Sequence, residues 1–377
     1  MKKKAGRTCL LYAASETNAD ILYPTRFFAP DPFLFLLVRG RSVMVMSDLE
    51  LDRARRQASV DTVLSWSKVA RKVAARRKSP ASAAAVIASV LADFRLSEVE
   101  VPHDFPLGLA MELDSLGVRL EAAPEPFWPE RARKTGWEVR AVEASLRAAE
   151  GGLEAGLAAL KACRIRRGFL FRDGRHFTVE DLRGVVNTAI LQAGAVPAHT
   201  ICAPGDQAVD PHEEGHGPLK AHTPIVMDIF PRSEKTGYYG DLTRTVVRGR
   251  APHALHEVYA LVHEGVRLGH RSIRPGVDGM SIHRDIQALF ERQGYRTGLR
   301  AGRMQGFFHG TGHGLGLEIH ERPSISSRTS ILEQGHVVTV EPGLYYLGLG
   351  GVRIEDVALV TRSGSRNLTR VPKALEI

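Results

Sequence analysis

The chain has 377 residues, enough for a sizeable core and for two domains rather than one. Its 44% hydrophobic and 25% charged content is that of an ordinary soluble globular protein and excludes disorder as the dominant state. The formal net charge of +9 permits contact with nucleic acid, but no zinc-finger spacing, Arg/Gly tail or aromatic RNA-binding signature accompanies it, and arginines such as those of RARKTGWEVRAVEASLRAAE fall in helical patterns that read as a solvated face.

The start, MKKKAGRTCLLYAAS, carries an apolar run of about six residues, shorter than a secretory signal needs, and reads as an initial strand. FLFLLVRG and RSVMVMS read as two strands joined by a glycine-containing turn. DLELDRARRQA reads as a helix with Asp48 as its cap. Residues 55 to 76 carry mixed helical signals, and SPASAAAVIASVLADF is a further helix. Extended stretches come next at VEVP and VRLEAAP, so the first third reads as a small α/β domain. Prolines interrupt the pattern at EAAPEPFWPERARK, which places a connection between domains there, with residues 1–126 on one side and 127–377 on the other. Trp128, in this connection, is expected to pack between domains or against a partner subunit.

Beyond it, Thr135 to Lys161 reads as one long helix and VEDLRGVVNTAILQAG as a second. Thr223 to Val247 has two strand-like ends around a polar turn. ALHEVYALVHEGVRLGHRSIRPG and MSIHRDIQALFERQG are helices, each closed by glycine. HVVTVEPGLYYLG and VRIEDVALVT are strand-rich. No tandem repeat stands out. Cys9, Cys163 and Cys202 form neither a disulfide framework nor a sulfur cage, and suit a reducing, cytoplasmic compartment. No apolar run approaches the roughly eighteen residues of a membrane span.

The chemistry concentrates in a few places. GFFHGTGHGLGLEIHE, residues 306–321, holds three histidines and two glutamates among five glycines. Asp228 ends an apolar strand in IVMDIFPRSEKTGYYGDLTRT, and Asp241 begins the next extended stretch, with twelve residues between the two acids. Glu341 ends VVTVE, and Glu355 lies in VRIEDVALV. Buried singly, such acids are costly; a shared cation makes several adjacent acids tolerable. His313, flanked by glycines, suits close approach to a metal, while His309 and His320 on either side suit substrate contact or proton transfer. Any one of these histidines taken alone is more simply a satisfied polar residue. The combination favours a metal site.

These segments, VMDIFPRSEKTGYYGDLTRT, HGTGHGLGLEIHE, TVEPGLYY and GGVRIED in that order, resemble the pita-bread metallopeptidase family, in particular its Xaa-Pro aminopeptidase and prolidase branches. The resemblance covers roughly residues 130 to 370, and the preceding segment resembles the amino-terminal domain of those branches. It implies an α+β fold: a creatinase/aminopeptidase-like pita-bread catalytic domain preceded by a smaller α/β amino-terminal domain. It implies two divalent metal ions, with Asp228 on one, His313 and Glu341 on the other, and Asp241 and Glu355 bridging both. The resemblance puts Mn²⁺ foremost; oxygen ligands with one imidazole are chemically compatible with Mn²⁺, Co²⁺, Zn²⁺ or Fe²⁺ and do not select among them. Glu341 is implied as general base, and His309 and His320 as residues that contact substrate and stabilise the tetrahedral intermediate. His212 is implied as a substrate contact, with His216 and His222 as neighbouring alternatives. Arg353 is implied to organise the acid network beside the last ligand. Thr243 can hydrogen-bond near Asp241 and orient it. Tyr238 and Tyr239 either line the pocket or pack at the turn. Where many relatives have glycine two residues after the first acid, this chain has Phe230, followed by Pro231.

The implied activity is removal of an amino-terminal residue before proline in short peptides, with Xaa-Pro dipeptide hydrolysis as the alternative. Creatinase-like chemistry sits less well with five intact ligand positions. A reading of another class is a non-enzymatic peptide- or nucleic-acid-binding member of the fold. Implied partners are short proline-containing peptides and a second copy of the chain, with neither membrane nor nucleic acid.

Overall fold

The computed structural model describes residues 6–377, so the lysines that open the chain lie outside the described residues. By Cα proximity the chain divides into two compact units, the first ending at Arg131 and the second running from Ala132 to Ile377.

The first unit is a six-stranded mixed sheet with helices. Its elements are β1 (Cys9–Ala13), α1 (Ala19–Thr25), β2 (Phe33–Val38), β3 (Arg41–Met46), α2 (Leu51–Gln57), β4 (Thr62–Ser65), α3 (Trp66–Arg77), α4 (Ala83–Asp93), β5 (Glu98–Val101), α5 (Leu107–Ser115) and β6 (Arg119–Ala122), with the strands in the order β4-β3-β2-β1-β5-β6. β2 is apolar at every position because both its faces are covered. Phe33, Phe35 and Leu37 join a core with Phe27, Ala54 and Trp128, while Leu34, Leu36 and Val38 join another with Ile87, Val90 and Leu91 of α4. The initial strand, the paired strands, the α4 helix and the VEVP and VRLEAAP strands all stand where the pattern puts them.

Two expectations are corrected here. Asp48 does not cap α2: the chain first makes a turn, the cap position falls on Glu50 without a side-chain bond, and Asp48 instead accepts from Ser65 Oγ at 2.6 Å. Trp128 is not on a surface. It is buried in the first unit's core, its indole donates to the Asp20 carbonyl at 2.7 Å, and Phe127 meets it edge-on.

In the second unit, α6 (Gly136–Ala162) starts where Thr135 and Glu138 form a reciprocal capping box, and α7 (Val179–Gln192) starts at a similar pair, Thr178 and Asp181. Further along the chain is a three-stranded antiparallel sheet, β7 (Ile201–Pro204), β8 (Pro224–Ile229) and β9 (Leu242–Val247), in that order. The long helices α8 (His253–Ser272) and α9 (Gly279–Arg292) come after it. The carboxyl-terminal strands are β10 (Gly312–Gly314), β11 (Glu321–Ile325), β12 (Val337–Val340), β13 (Gly343–Tyr346), β14 (Gly350–Arg353), β15 (Asp356–Val360) and β16 (Ser365–Asn367). Five of them form a sheet in the order β11-β10-β12-β15-β16, and β13 and β14 form a hairpin. Val338 and Val340 of β12 share a core with Val262 and Val266 of α8 and Ile286 and Phe290 of α9. With a period of two, that leaves Thr339 and Glu341 on the opposite face. The unit is the α+β catalytic domain the resemblance implies. Among the described residues no helix is long and apolar enough to cross a membrane.

Candidate metal centre

Register brings the acids together. β8 pairs with β9 so that Asp228 stands opposite Thr243, and Asp241 lies just past the last pair, Ile229 with Leu242. β12 pairs with β15 through Val340 and Asp356, so Glu341 and Glu355, each one residue beyond, face each other across the strand ends. The Glu355 amide donates to the Thr243 carbonyl at 3.0 Å, which ties the two groups of strands at this point. Two glycines allow the approach. A Cβ on Gly312 would collide with the Thr339 carbonyl, and one on Gly240 would strike the backbone of α6 at Ser145 and Leu146. This is why imidazoles and glycines are interleaved: β10 must press directly on β12 for His313 to reach the acids.

Asp228, Asp241, His313, Glu341 and Glu355 all line one cavity of about 820 Å³. One side-chain donor atom each from Asp241, His313 and Glu355 lies within 4.8 Å of the others, a spacing that suits a metal ion. His313 Nε2 stands 3.2 Å from Glu341 Oε1 and 3.6 Å from Asp241 Oδ2. Its Nδ1 faces the Gly314 carbonyl at 3.2 Å and therefore carries a proton. In the neutral ring, Nε2 thus presents a lone pair to two carboxylates. That arrangement is repulsive unless a cation lies between them, or a second proton occupies the ring.

The electrostatics say the same. Burial holds the Asp241 carboxyl well above its ordinary value, and the charge of Asp228 adds to it. Glu355 is likewise raised by burial and by Asp241. Burial opposes a charge on His313, yet the hydrogen bond and charge of Glu341, with Asp241, lift it to about 9. Burial would raise Glu341, but His313 holds it down at about 2. Two carboxylate oxygens, Asp228 Oδ1 and Glu355 Oε1, are buried without any hydrogen-bond partner. Leaving a buried polar group unpartnered costs on the order of 1–3 kcal/mol when it is neutral, and more when it is charged. Unpartnered carboxylate oxygens of this kind are what divalent cations bound in the cavity would satisfy. The donor set of carboxylate oxygens with one imidazole fits Mn²⁺, Co²⁺, Zn²⁺ or Fe²⁺.

Around this cluster, a chain of hydrogen bonds starts at Asp228. Arg353 donates from Nη2 to Asp228 Oδ2 at 2.6 Å and from Nη1 to the Tyr345 hydroxyl at 2.8 Å. That hydroxyl stands 2.9 Å from His309 Nε2, and His309 Nδ1 donates to the Gly310 carbonyl at 2.7 Å. Both His309 nitrogens are therefore engaged, and burial holds the ring at about 4, neutral at pH 7. Thr243 Oγ1 donates to Glu355 Oε2 at 2.8 Å, so it orients Glu355. Arg244, buried beneath, donates to the Thr243 and Glu355 carbonyls and to Asp356.

His212, His309, His320 and Arg353 all line the cavity, as does Phe230. His320 meets His313 edge-on with ring centroids 4.3 Å apart. The alternatives to His212 stand elsewhere: the His216 backbone bonds Gln207, and the His222 ring bonds Arg250. Tyr238 packs, buried against Trp137, with its hydroxyl on Glu138, and Tyr239 is not among the lining residues. Sequence reasoning missed Tyr345. Its signal is the alternation Glu341, Gly343, Tyr345, which keeps one face of an extended chain toward the site. It also missed Asp210, His199 and Glu214 at the cavity wall, which no periodicity marks.

The model of metallopeptidase family M24 matches residues 141–362, more than half of the chain. The chain belongs to this family. Among curated relatives, this M24 member is 44% identical over 142 residues to the uncharacterised peptidase YqhT of Bacillus subtilis, and 33% identical over 139 residues to a Xaa-Pro dipeptidase of Pyrococcus furiosus. Each match covers 37% of this chain and 38% of the relative, so the matched segment spans little more than a third of those proteins. The fold matches over nearly the whole length. The X-Pro aminopeptidase of Thermotoga maritima superposes with a TM-score of 0.81 at 21% identity, covering 98% of this chain and 97% of that one. The prolidase of Pyrococcus horikoshii superposes with a TM-score of 0.79 at 22% identity, covering 98% and 95%. The M24 fold is thus that of a pita-bread catalytic domain with a smaller amino-terminal α/β domain.

Proposed function

We propose that this M24 protein is a dinuclear metal-dependent peptidase that removes the first residue from short peptides with proline in second place. The observation that carries the reading is the convergence of four carboxylates and one imidazole on one cavity, with two carboxylate oxygens left unpartnered. Asp228, Asp241, His313, Glu341 and Glu355 would hold the cations, Mn²⁺ foremost, with Asp241 and Glu355 shared. The chemistry such cations supply when bound is Lewis-acid activation of water and of the scissile carbonyl.

The chain's own groups have separable tasks. The Glu341 carboxylate takes the proton from the attacking water and hands it to the departing proline nitrogen. His320 and His212 line the cavity where they can contact the peptide carbonyl and its oxyanion. His309 is neutral and held by Tyr345 and Gly310, so it meets substrate as a fixed ring unless one of those bonds is exchanged. Arg353 holds Asp228 in place at the cavity wall through its bond to Oδ2. Phe230, Ile201, Ile319 and Phe308 supply apolar wall for the proline ring and the first side chain.

The aminopeptidase and dipeptidase readings differ in whether the substrate chain continues past the proline or ends there in a carboxylate. Among the described residues lining the cavity, Arg353 is the single Lys or Arg, and it is committed to Asp228 and Tyr345. Burial also holds His309 and His320 toward the neutral form. A dipeptide would bring a free carboxylate into this space with no uncommitted Lys or Arg among the described lining residues to receive it. That supports longer peptides over dipeptides, in line with the relative named X-Pro aminopeptidase rather than those named prolidase. We further propose an amino-terminal and a catalytic domain, their boundary moved from the 126/127 reading to Arg131 because Phe127 and Trp128 pack in the first unit's core, and a cytoplasmic homodimer; the three buried free thiols support a reducing compartment.

The test is turnover by stripped and metal-reconstituted protein on Xaa-Pro dipeptides and Xaa-Pro-Yaa tripeptides. Metal-dependent release of the first residue from tripeptides supports the proposal. Cleavage of dipeptides alone makes the protein a prolidase. Tight peptide or RNA binding without turnover, metal present, makes it a binding module and refutes the enzymatic reading.

A further inference from the structure

The turn that carries His320 contains a buried ion pair that no step of the proposed reaction uses. Lys134 Nζ lies 2.8 Å from Glu321 Oε2, with the two side chains only 1% and 5% exposed. The other oxygen, Oε1, accepts from the backbone amides of Leu317 at 2.9 Å and Glu318 at 3.1 Å. One carboxylate therefore closes the turn between 317 and 321 upon itself, and Lys134 fixes that carboxylate from outside. Room for this exists because residue 316 is glycine: a Cβ there would meet the Glu321 oxygens at 2.5 and 2.8 Å. The backbone on either side is also tied down. Gly316 accepts from the Tyr239 amide at 2.8 Å, and the Lys134 amide donates to Gly335 at 2.8 Å.

The His320 ring itself has no hydrogen bond among the described residues. It touches His313 edge-on, and its place at the cavity rim is otherwise set by the backbone of this turn. An exposed loop closes cheaply with glycine, asparagine or serine, whereas a buried ion pair carries a desolvation penalty for both partners. Such a device makes physical sense where one arrangement of the turn must be enforced. We propose that Lys134 and Glu321 are positioning residues for His320, holding its ring toward the bound peptide; this rests on the peptidase reading above.

The experiment measures kcat and KM of the Mn²⁺-reconstituted full chain on an Xaa-Pro-Yaa tripeptide for Lys134→Met and Glu321→Gln. Each is made in the wild-type and the His320→Ala backgrounds, with bound metal quantified. In the wild-type background each substitution should lower kcat/KM about tenfold, the scale of a small misplacement of a substrate-contacting group, with metal content unchanged. In the His320→Ala background the same substitutions should cost less than about twofold, because the group they position is gone. Full additivity, or no loss in the wild-type background, would overturn the proposal; a general structural role would give the same loss in both. Glu321→Gln keeps the shape and the Oε1 acceptor, so it carries the test if Lys134→Met does not fold. A second readout is independent of turnover. Amide exchange at Leu317 and Glu318 should accelerate in Lys134→Met, where the carboxylate loses its anchor, and to a smaller degree in Glu321→Gln, whose remaining oxygen still accepts, while α8 and α9 stay protected. Unchanged exchange there sinks the proposal even in an active enzyme. A wild-type protein that binds metal yet cleaves nothing refutes the peptidase reading instead, and leaves the exchange result to decide whether the pair fixes the turn.

Discussion

His313 is the residue whose surroundings make least sense without a cation. With Nδ1 spent on Gly314, its second nitrogen faces Glu341 and Asp241. His313→Ala should lose nearly all bound Mn²⁺ by elemental analysis while retaining its far-ultraviolet circular dichroism; a variant with unchanged metal content would remove His313 from the site. Thr243→Val tests the support behind the cluster. It preserves shape at a fully buried position but deletes the bond to Glu355 Oε2. Loss of such a partner should weaken metal affinity about 10–100-fold, read by competition with a chromophoric chelator. His336 provides a separate handle on pH. Its Nδ1 accepts from the Glu333 amide at 3.0 Å, and burial holds the ring at about 4 against an ordinary 6.5. The unfolded chain thus binds the proton first. Stability from this residue is complete above pH 6.5 and is lost as pH falls towards 4, on the order of 3 kcal/mol. His336→Gln, whose amide oxygen can accept the same bond, should flatten urea-unfolding stability between about pH 7 and 4.5 relative to wild type. An equally steep loss would show that His336 does not titrate as inferred.

At the scale of elements, the site depends on strands packed closer than side chains allow. Gly312→Ala should force β10 away from β12, because the new Cβ would collide with the Thr339 carbonyl. Both thermal stability and metal affinity should fall, whereas Gly364→Ala, with open space around it, should change neither. Parallel melting and metal-titration curves for the two variants check this. The same close packing explains what could be read from the chain alone. The helix 136–162 announces itself through Thr135 and Glu138, and β2 through an unbroken apolar run. That Glu341 and Glu355 end strands is legible in VVTVE and VRIEDVALV. That they face each other is not, because it depends on the pairing of Val340 with Asp356, a register between distant segments. Asp48 misled because cap preference is a property of residue type, while the turn that displaces the helix start is a property of its neighbours. Trp128 misled for a related reason. Prolines around it read as a linker, yet its indole and Phe127 fill an apolar core whose need for volume is invisible locally.

At the scale of the whole molecule, each unit has cores of its own, built on β1 to β6 in the first and on α8, α9 and β12 in the second. Every residue of the acid and histidine cluster belongs to the second. Scanning calorimetry should therefore resolve two transitions, with added Mn²⁺ raising only one of them. At a hundredfold excess over its dissociation constant the ion adds about 2.7 kcal/mol to the state that binds it. A uniform shift of both transitions would mean that the units unfold together.

The central claim is that Asp241, His313 and Glu355, with Asp228 and Glu341, enclose divalent cations. Anomalous diffraction from a Mn²⁺-soaked crystal, recorded near the manganese edge, tests it most directly. Two peaks among these five side chains, absent from crystals of His313→Ala, are the expected result. A wild-type crystal with no anomalous density there, its carboxylates satisfied by protons and water, would contradict the claim.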